Sequence, residues 1–214
     1  IFQDTFLATL EEDWAPAQGD AFKTGDLVGF KWSTFLADAK MPSVELVFRP
    51  SPKQAIQGVS VTKHAVLLNI SDNVALKVLR YVKSMNGWTS SEIALPANGS
   101  AGVVFADESE ETAFLGYEGY LDPDALYEYS SKSGHLKEIK SLPAWFDAAP
   151  YVVEQFEATS KDGTKVPYYV VRAKTTVLNG ENPTLLYAYG GFQISQTPGY
   201  SGTVGKLWLE QGGV

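Results

Sequence analysis

The segment of this chain best suited to chemistry is 182–192, Asn-Pro-Thr-Leu-Leu-Tyr-Ala-Tyr-Gly-Gly-Phe. Its short apolar run, residues 184–189, is typical of a buried strand, and two glycines and an aromatic residue follow it. Gly190 and Gly191 would let the backbone come close to a substrate, because glycine accepts conformations that other residues avoid. The pattern therefore predicts a buried strand that brings a loop to the edge of an active site.

Few other residues have the type and the neighbours that catalysis requires. The histidines, His64 and His135, stand in a predicted strand and after a turn glycine, without an adjacent partner, so structural or surface roles are favoured. Ser201 stands in Gly-Tyr-Ser-Gly, which lacks the Gly-x-Ser-x-Gly spacing of a nucleophile elbow, and is interpreted as a loop serine. We therefore expect no nucleophile, no cofactor site and no metal site within these residues.

The composition indicates an acidic and β-rich globular chain. Of its 214 residues, 44% are hydrophobic and 13% aromatic. A net charge of -8 argues against nucleic acid and anionic membrane surfaces as partners, since both select basic patches. There is no apolar run of the roughly 18 residues that a membrane helix needs. No signal-peptide pattern is visible after Ile1, and the compartment stays open between cytoplasm and periplasm.

An internal repeat with a period of 47 residues predicts repeated units of short strands. Ser84 and Gly87 recur as Ser131 and Gly134, and the Leu-Pro pair at 95–96 recurs at 142–143. Periods of about 40 to 50 residues built from short strands suggest the blades of a β-propeller. Strand-like runs separated by turn residues lie at 27–35, 44–48, 56–70, 74–82, 102–107, 112–117 and 125–129. Residues 1–14 fit a short helix or an irregular strand.

The pattern changes between Pro143 and Pro150. Residues 152–159 and 165–172 are predicted to form a hairpin around a Lys-Asp-Gly turn. After the predicted strand at 184–189, residues 206–211 have the character of the first turns of a helix. Hairpin, buried strand, loop and helix in this order predict the beginning of an α/β sheet.

Three segments resemble the prolyl oligopeptidase family of serine peptidases. Residues 153–169 are similar to the strand pair that opens the family's peptidase domain, and residues 182–192 to the strand and loop that follow. Residues 99–147, with Pro-Ala-Trp-Phe-Asp at 143–147, resemble the last part of the propeller in bacterial members. One departure is Ala188, where the family usually has glycine.

This resemblance implies a mainly β fold with an α/β part. A partial β-propeller of about three blades would occupy residues 1–148, and the beginning of an α/β-hydrolase domain residues 149–214. It also implies cleavage of short peptides after proline by a Ser-Asp-His triad that lies outside these residues. Tyr189 would be the catalytic oxyanion donor and Phe192 a wall of the substrate pocket. Taken alone, a tyrosine that ends a strand is more often a core residue, and Phe192 fits core packing equally well.

The partners implied by the resemblance are short proline-containing peptides and the remainder of the same polypeptide, with no cofactor. The 214-residue chain by itself is expected to be inactive. Two alternatives stay open at this point. One is a non-catalytic β-propeller interaction module, and the other is an oligopeptidase of the same family with specificity for basic residues.

Overall fold

The elements of the chain are almost all β-strands. The structure is a computed structural model that describes residues 1–16, 19–38, 40–192 and 194–214. Near the N-terminus, three antiparallel strands form one sheet in the order β1 (Thr5–Thr9), β2 (Leu27–Lys31) and β3 (Val44–Phe48). Helix α1 (Trp32–Asp38) follows β2 directly. Neither helix in the described part of the chain is long and apolar enough to cross a membrane.

Two four-stranded units follow. Blade I contains β4 (Gln54–Val61), β5 (Val66–Asp72), β6 (Ala75–Ser84) and β7 (Gly87–Glu92). Blade II contains β8 (Gly99–Phe105), β9 (Thr112–Gly119), β10 (Ala125–Ser130) and β11 (Leu136–Ser141). Consecutive strands within each blade pair antiparallel, and a parallel bridge between Leu76 and Ser100 joins the blades. The mainly β architecture predicted from the strand pattern is therefore confirmed.

The repeated motif marks the same turn in both blades. Ser84 and Gly87 connect β6 to β7, and Ser131 and Gly134 lie between β10 and β11. Gly87 has a φ of 101° and Gly134 a φ of 76°. Both values lie in the left-handed region that favours glycine, so the turn geometry explains why glycine recurs at this place.

The core has two apolar clusters, one on each face of β5. Val66, Leu68 and Ile70 are buried on one face, in a cluster that includes Leu27 of the N-terminal sheet. Leu67 is buried on the opposite face, in a cluster shared with Leu115 of blade II. Because side chains alternate along a strand, a strand covered on both faces is apolar at nearly every position.

A long hairpin and a short helical region complete the chain. Strands β12 (Tyr151–Thr159) and β13 (Lys165–Ala173) pair antiparallel along their whole length, as the sequence predicted to within one residue. Helix α2 (Gly202–Leu207) is followed by a 3-10 turn, Leu209–Gln211. The helix begins earlier than the predicted 206 because the Ser201 hydroxyl accepts a hydrogen bond from the Val204 N–H at 3.2 Å and caps it.

Two of the strands predicted before residue 143 differ from the structure. The run at 27–35 ends as a strand at Lys31, because the Asp4 carboxylate accepts a 2.8 Å hydrogen bond from the Ser33 N–H and starts α1 there. The run at 56–70 is two strands, separated by a turn in which Thr62 and Ala65 exchange hydrogen bonds. At 1–14, the irregular strand was the correct alternative, as β1.

The predicted buried strand at 184–189 is wrong for the described chain. These residues form no strand and are exposed; Leu186 is 89% accessible. A buried strand needs neighbours on its edges and faces, and the described residues supply a partner only at its start. There, the Leu185 N–H donates to the Val214 carbonyl at 2.8 Å, and the Val214 N–H donates to the Pro183 carbonyl at 2.9 Å. This alternation is the hydrogen-bond pattern of adjacent parallel strands.

Candidate functional site

The two predicted site residues lie in one exposed loop. The ring of Tyr189 is folded back over the following turn, so that a Cβ on Gly191 would be 3.1 Å from the Tyr189 hydroxyl oxygen. The side chain of Tyr189 is about half exposed. Within the described residues, its hydroxyl makes no hydrogen bond, so the phenol is available as a donor. A larger residue at 191 would crowd the Tyr189 hydroxyl at this distance.

Phe192 has an unusual backbone conformation. Its φ is 52°, in the left-handed region that bulky residues rarely adopt. The Ile194 N–H donates to the Gly191 carbonyl at 3.1 Å and closes the turn around it. This conformation leaves the Phe192 ring 91% exposed. Residues held in sparsely populated conformations cluster at active sites and ligand clamps, which makes Phe192 a candidate ligand contact.

One end of the loop is held by the last residues of the chain. Besides its backbone bonds to Pro183 and Leu185, the Val214 carbonyl accepts a 3.0 Å hydrogen bond from the Trp208 indole. Gly213 is buried beneath that indole, where a Cβ would lie 2.4 Å from Nε1. The start of the segment that leads to Tyr189 is therefore fixed against the 3-10 turn after α2.

The other end of the loop is held by blade II. The Ser100 hydroxyl donates to the Pro198 carbonyl at 2.5 Å, and the Tyr200 N–H donates to the Glu118 carboxylate at 2.9 Å. Pro198 itself is fully buried. Residues 198–200 thus dock on two strands of blade II, β8 and β9.

The linker between blade II and the hairpin supports the same segment. The rings of Phe146 and Tyr200 stack nearly parallel, with centroids 5.6 Å apart. The Trp145 N–H donates to the Tyr200 hydroxyl at 2.8 Å. Gly205 of α2 lies directly on Phe146, where a Cβ would be 2.0 Å from the ring. Helix α2 and the segment before it therefore share one aromatic platform.

The hairpin contacts both blades. The Gln155 amide donates to the Asn73 carbonyl of blade I at 2.5 Å, and Lys53 forms an ion pair with Glu157 that lowers the pKa of this carboxyl. On the other side, the rings of Tyr120 and Tyr169 are 5.3 Å apart.

Burial, with the nearby Tyr120, raises the pKa of Tyr169 to about 12. Tyr169 is therefore a neutral packing residue of this junction at physiological pH.

His64 and Ser201 have structural roles, and His135 lies on the surface. His64 lies in the turn between β4 and β5, with Nε2 3.0 Å from a carboxylate oxygen of Glu111, and this contact lowers the pKa of Glu111. His135 lies exposed before β11, and Ser201 caps α2. Among the described residues, no group of three potential ligands could hold a metal ion.

The sequence did not point to Ser100, Glu118 or Tyr200. Ser100 and Glu118 are direct partners across β8 and β9; Ser100 meets Pro198 from 98 residues away, and Glu118 meets Tyr200 from 82 residues away. Only the strand register, which depends on the whole blade, brings them together. No local motif could have identified them.

Comparison with known proteins gives a consistent result. Residues 11–141 match the family description "prolyl oligopeptidase, N-terminal beta-propeller domain". An uncharacterised peptidase of Sinorhizobium fredii is 41% identical over 204 residues, which are 95% of this chain and 28% of that protein. A prolyl endopeptidase of Elizabethkingia miricola is 37% identical over 123 residues, which are 58% of this chain and 17% of that protein. A post-proline cleaving enzyme from Rickettsia typhi has a solved structure with a TM-score of 0.80 and 33% identity, covering 100% of this chain and 31% of that one.

Residues 11–141 are part of a β-propeller domain, and the chain belongs to the prolyl oligopeptidase family of serine peptidases. Both the family and the propeller predicted from the sequence are confirmed. The chain spans less than a third of the length of these relatives. The family match ends at residue 141, and the predicted boundary between residues 148 and 149 stays a prediction.

Proposed function

We propose that this chain is part of a serine peptidase that hydrolyses short peptides after proline through an acyl-enzyme. The similarity over the whole chain to the Rickettsia typhi post-proline cleaving enzyme is the observation that supports this proposal best. The blades would belong to a propeller that admits flexible peptides and excludes folded proteins. The serine, aspartate and histidine of the triad would be supplied by the rest of the polypeptide.

Residues 149–214 would form the beginning of the α/β-hydrolase domain. The parallel-type hydrogen bonds of Val214 with Pro183 and Leu185 support this assignment. Helix α2 lies between these two partners in the sequence, as expected for the crossover that a parallel pair of strands requires. With further strands on both sides, the exposed run at 184–189 would become the buried strand that its composition indicates.

Tyr189 would donate a hydrogen bond to the oxygen that becomes negative when the serine attacks the peptide carbonyl. Such a donor is effective only when it is held in place before the charge develops. The position of the Tyr189 ring supports this role, because its hydroxyl lies close to the Gly191 backbone and makes no hydrogen bond among the described residues. The hydrogen bond would be strongest in the tetrahedral intermediate, so Tyr189 would stabilise the transition state more than the bound substrate.

Phe192 would contact the proline side chain of the substrate. Its ring is apolar and exposed, and a flat apolar face suits the pyrrolidine ring. A pocket lined in this way selects by shape and apolar contact, whereas a basic side chain would require a carboxylate. The nearest residues of the loop, 186–192, contain no acidic side chain.

A substrate panel with the full-length enzyme tests this proposal. Chromogenic peptides that differ only in proline, arginine or alanine before the cleaved bond are compared by kcat/KM, with and without a serine-directed fluorophosphonate. We expect the proline peptide to be preferred and the inhibitor to abolish turnover. Preference for arginine would assign an oligopeptidase with basic specificity, and no turnover of any peptide would favour an interaction module.

A further inference from the structure

Two neighbouring side chains of blade II bind the backbone on both sides of Gly199. Ser100 and Glu118 are cross-strand partners in β8 and β9, so their side chains project from the same face of the blade. Ser100 binds the Pro198 carbonyl, and Glu118 binds the Tyr200 N–H. A Cβ on Gly199 would lie 3.4 Å from a carboxylate oxygen of Glu118, so the segment lies directly against this pair.

We propose that Ser100 and Glu118 are positioning residues for the loop that bears Tyr189 and Phe192. Blade II would thereby set the place of the oxyanion donor, although neither residue contacts the substrate. The inference rests on the proposed function of Tyr189 for its catalytic consequence, but the positioning itself does not depend on that role.

The position of this loop depends on the contacts at its two ends. Between residues 186 and 197, the hydrogen bond from Ile194 to Gly191 is the one backbone bond among the described residues, and it ties the loop only to itself. Most of these side chains are exposed. The place of Tyr189 therefore depends on the pairing of Val214 at one end and on the docking of residues 198–200 at the other.

The hydrogen bond from the Tyr200 N–H to Glu118 should be stronger than the one from Ser100 to the Pro198 carbonyl. A hydrogen bond from a backbone N–H to a carboxylate is about twice as strong as one between neutral groups. The other contacts of Tyr200, with Phe146 and Trp145, involve its ring and hydroxyl and do not fix its backbone N–H. Loss of the carboxylate should therefore release the backbone while Tyr200 stays docked on its aromatic platform.

The first test follows the loop without reference to activity. In the full-length protein, 3-fluorotyrosine at position 189 reports its surroundings through the ¹⁹F resonance. We expect Glu118→Ala to shift or broaden this resonance, and Glu118→Gln, which keeps an acceptor oxygen, to restore it largely. The control is Glu128→Ala, an exposed position of the same blade in β10. An unchanged resonance in Glu118→Ala would overturn the proposal. If that variant does not fold, Ser100→Ala tests the same docking point.

The second test is a double-mutant cycle on kcat with a proline peptide. Glu118→Ala should lower kcat about tenfold with KM little changed, since a misplacement of about 1 Å can cost up to about 10² in rate. In a Tyr189→Phe background, the same substitution should change kcat by less than about twofold, because the displaced hydroxyl is already absent. Equal losses in both backgrounds would overturn the proposal. Native kcat in Tyr189→Phe alone would instead contradict the proposed function of Tyr189, and the ¹⁹F resonance would still decide the positioning.

Discussion

The buried carboxylate of Asp26 is bound by the guanidinium of Arg49, with Nη2 2.6 Å from Oδ2. The Asp26 side chain is completely inaccessible, and it also accepts a 2.7 Å hydrogen bond from the Lys23 N–H. Asp26 precedes β2 and Arg49 follows β3, so this pair ties together the ends of two neighbouring strands.

Replacement of Arg49 by methionine should destabilise the chain by about 3 kcal/mol. The substitution leaves a buried charge without its partner, and breaking such a pair typically costs about 3–5 kcal/mol; the half-exposed Arg49 places the expected loss at the lower limit. Urea unfolding followed by tryptophan fluorescence measures the change. Lys40→Met is the control, since Lys40 and Asp38 form a highly exposed pair, and it should change stability by less than about 0.5 kcal/mol. Equal effects of the two substitutions would contradict this account.

The same pair predicts how stability falls in acid. Hydrogen bonds from Arg49 lower the pKa of Asp26 from its ordinary value of 3.8. The pair therefore contributes its full stability above the pKa of the unfolded carboxyl, and this contribution is lost as pH falls through the lower pKa of the folded chain. We expect Asp26→Asn to weaken the chain at pH 7 and to flatten the loss of stability below about pH 4. Parallel curves for the two proteins in urea titrations at several pH values would disprove this linkage.

Tyr189→Phe should lower kcat on a proline peptide by about 10²–10³, or roughly 3–4 kcal/mol. The ring volume is kept and only the hydroxyl donor is lost, so KM should change little. Steady-state kinetics with the full-length enzyme measures both constants. Tyr187→Phe is a matched control, because Tyr187 lies two residues earlier and is 76% exposed. Near-native kcat in Tyr189→Phe would return Tyr189 to the role of a packing residue.

The 214-residue chain alone should show no peptidase activity. Among its described residues, no serine hydroxyl forms a hydrogen bond with a histidine ring, and His64 of blade I lies against Glu111, which precedes β9 of blade II. A proline-containing chromogenic peptide provides the assay. Turnover that a serine-directed fluorophosphonate abolishes would show that a nucleophile and base had been overlooked.

The isolated chain should also associate in solution. Large apolar side chains are exposed in the loop that bears Tyr189 and Phe192 and in the segment before it: Val177, Leu178, Leu185, Leu186, Tyr187, Phe192 and Ile194. Exposed apolar side chains in this number favour association. Light scattering should detect oligomers or aggregates, and Leu186→Lys should reduce them. A clean monomer with a cooperative thermal transition would be the contrary result.

The parts of the fold that were predictable depend on local chemistry. The hairpin of β12 and β13 was found because its alternating strands flank a glycine turn, and Gly163 has the expected φ of 88°. Helix α1 was missed because its aromatic residues also suit a strand, whereas the residue that starts it, Asp4, is 29 positions from Ser33. The loop that bears Tyr189 and Phe192 was predicted from its own sequence, because two glycines and an aromatic residue follow an apolar run. Its docking on Ser100 and Glu118 was not, since that contact depends on the register of a distant strand pair.

The hairpin's contacts with both blades have a consequence for the order of folding. The last strand of blade II ends at Ser141. The hairpin, which contacts Asn73, Lys53 and Tyr120 of the blades, begins only at Tyr151. During synthesis, both blades leave the ribosome before the hairpin does. The shared apolar cluster should therefore bring the two blades together first. The angle between them should become fixed only when the hairpin binds to both. A nascent chain stopped after Ser141 would hold two formed blades in a looser mutual arrangement than the finished protein.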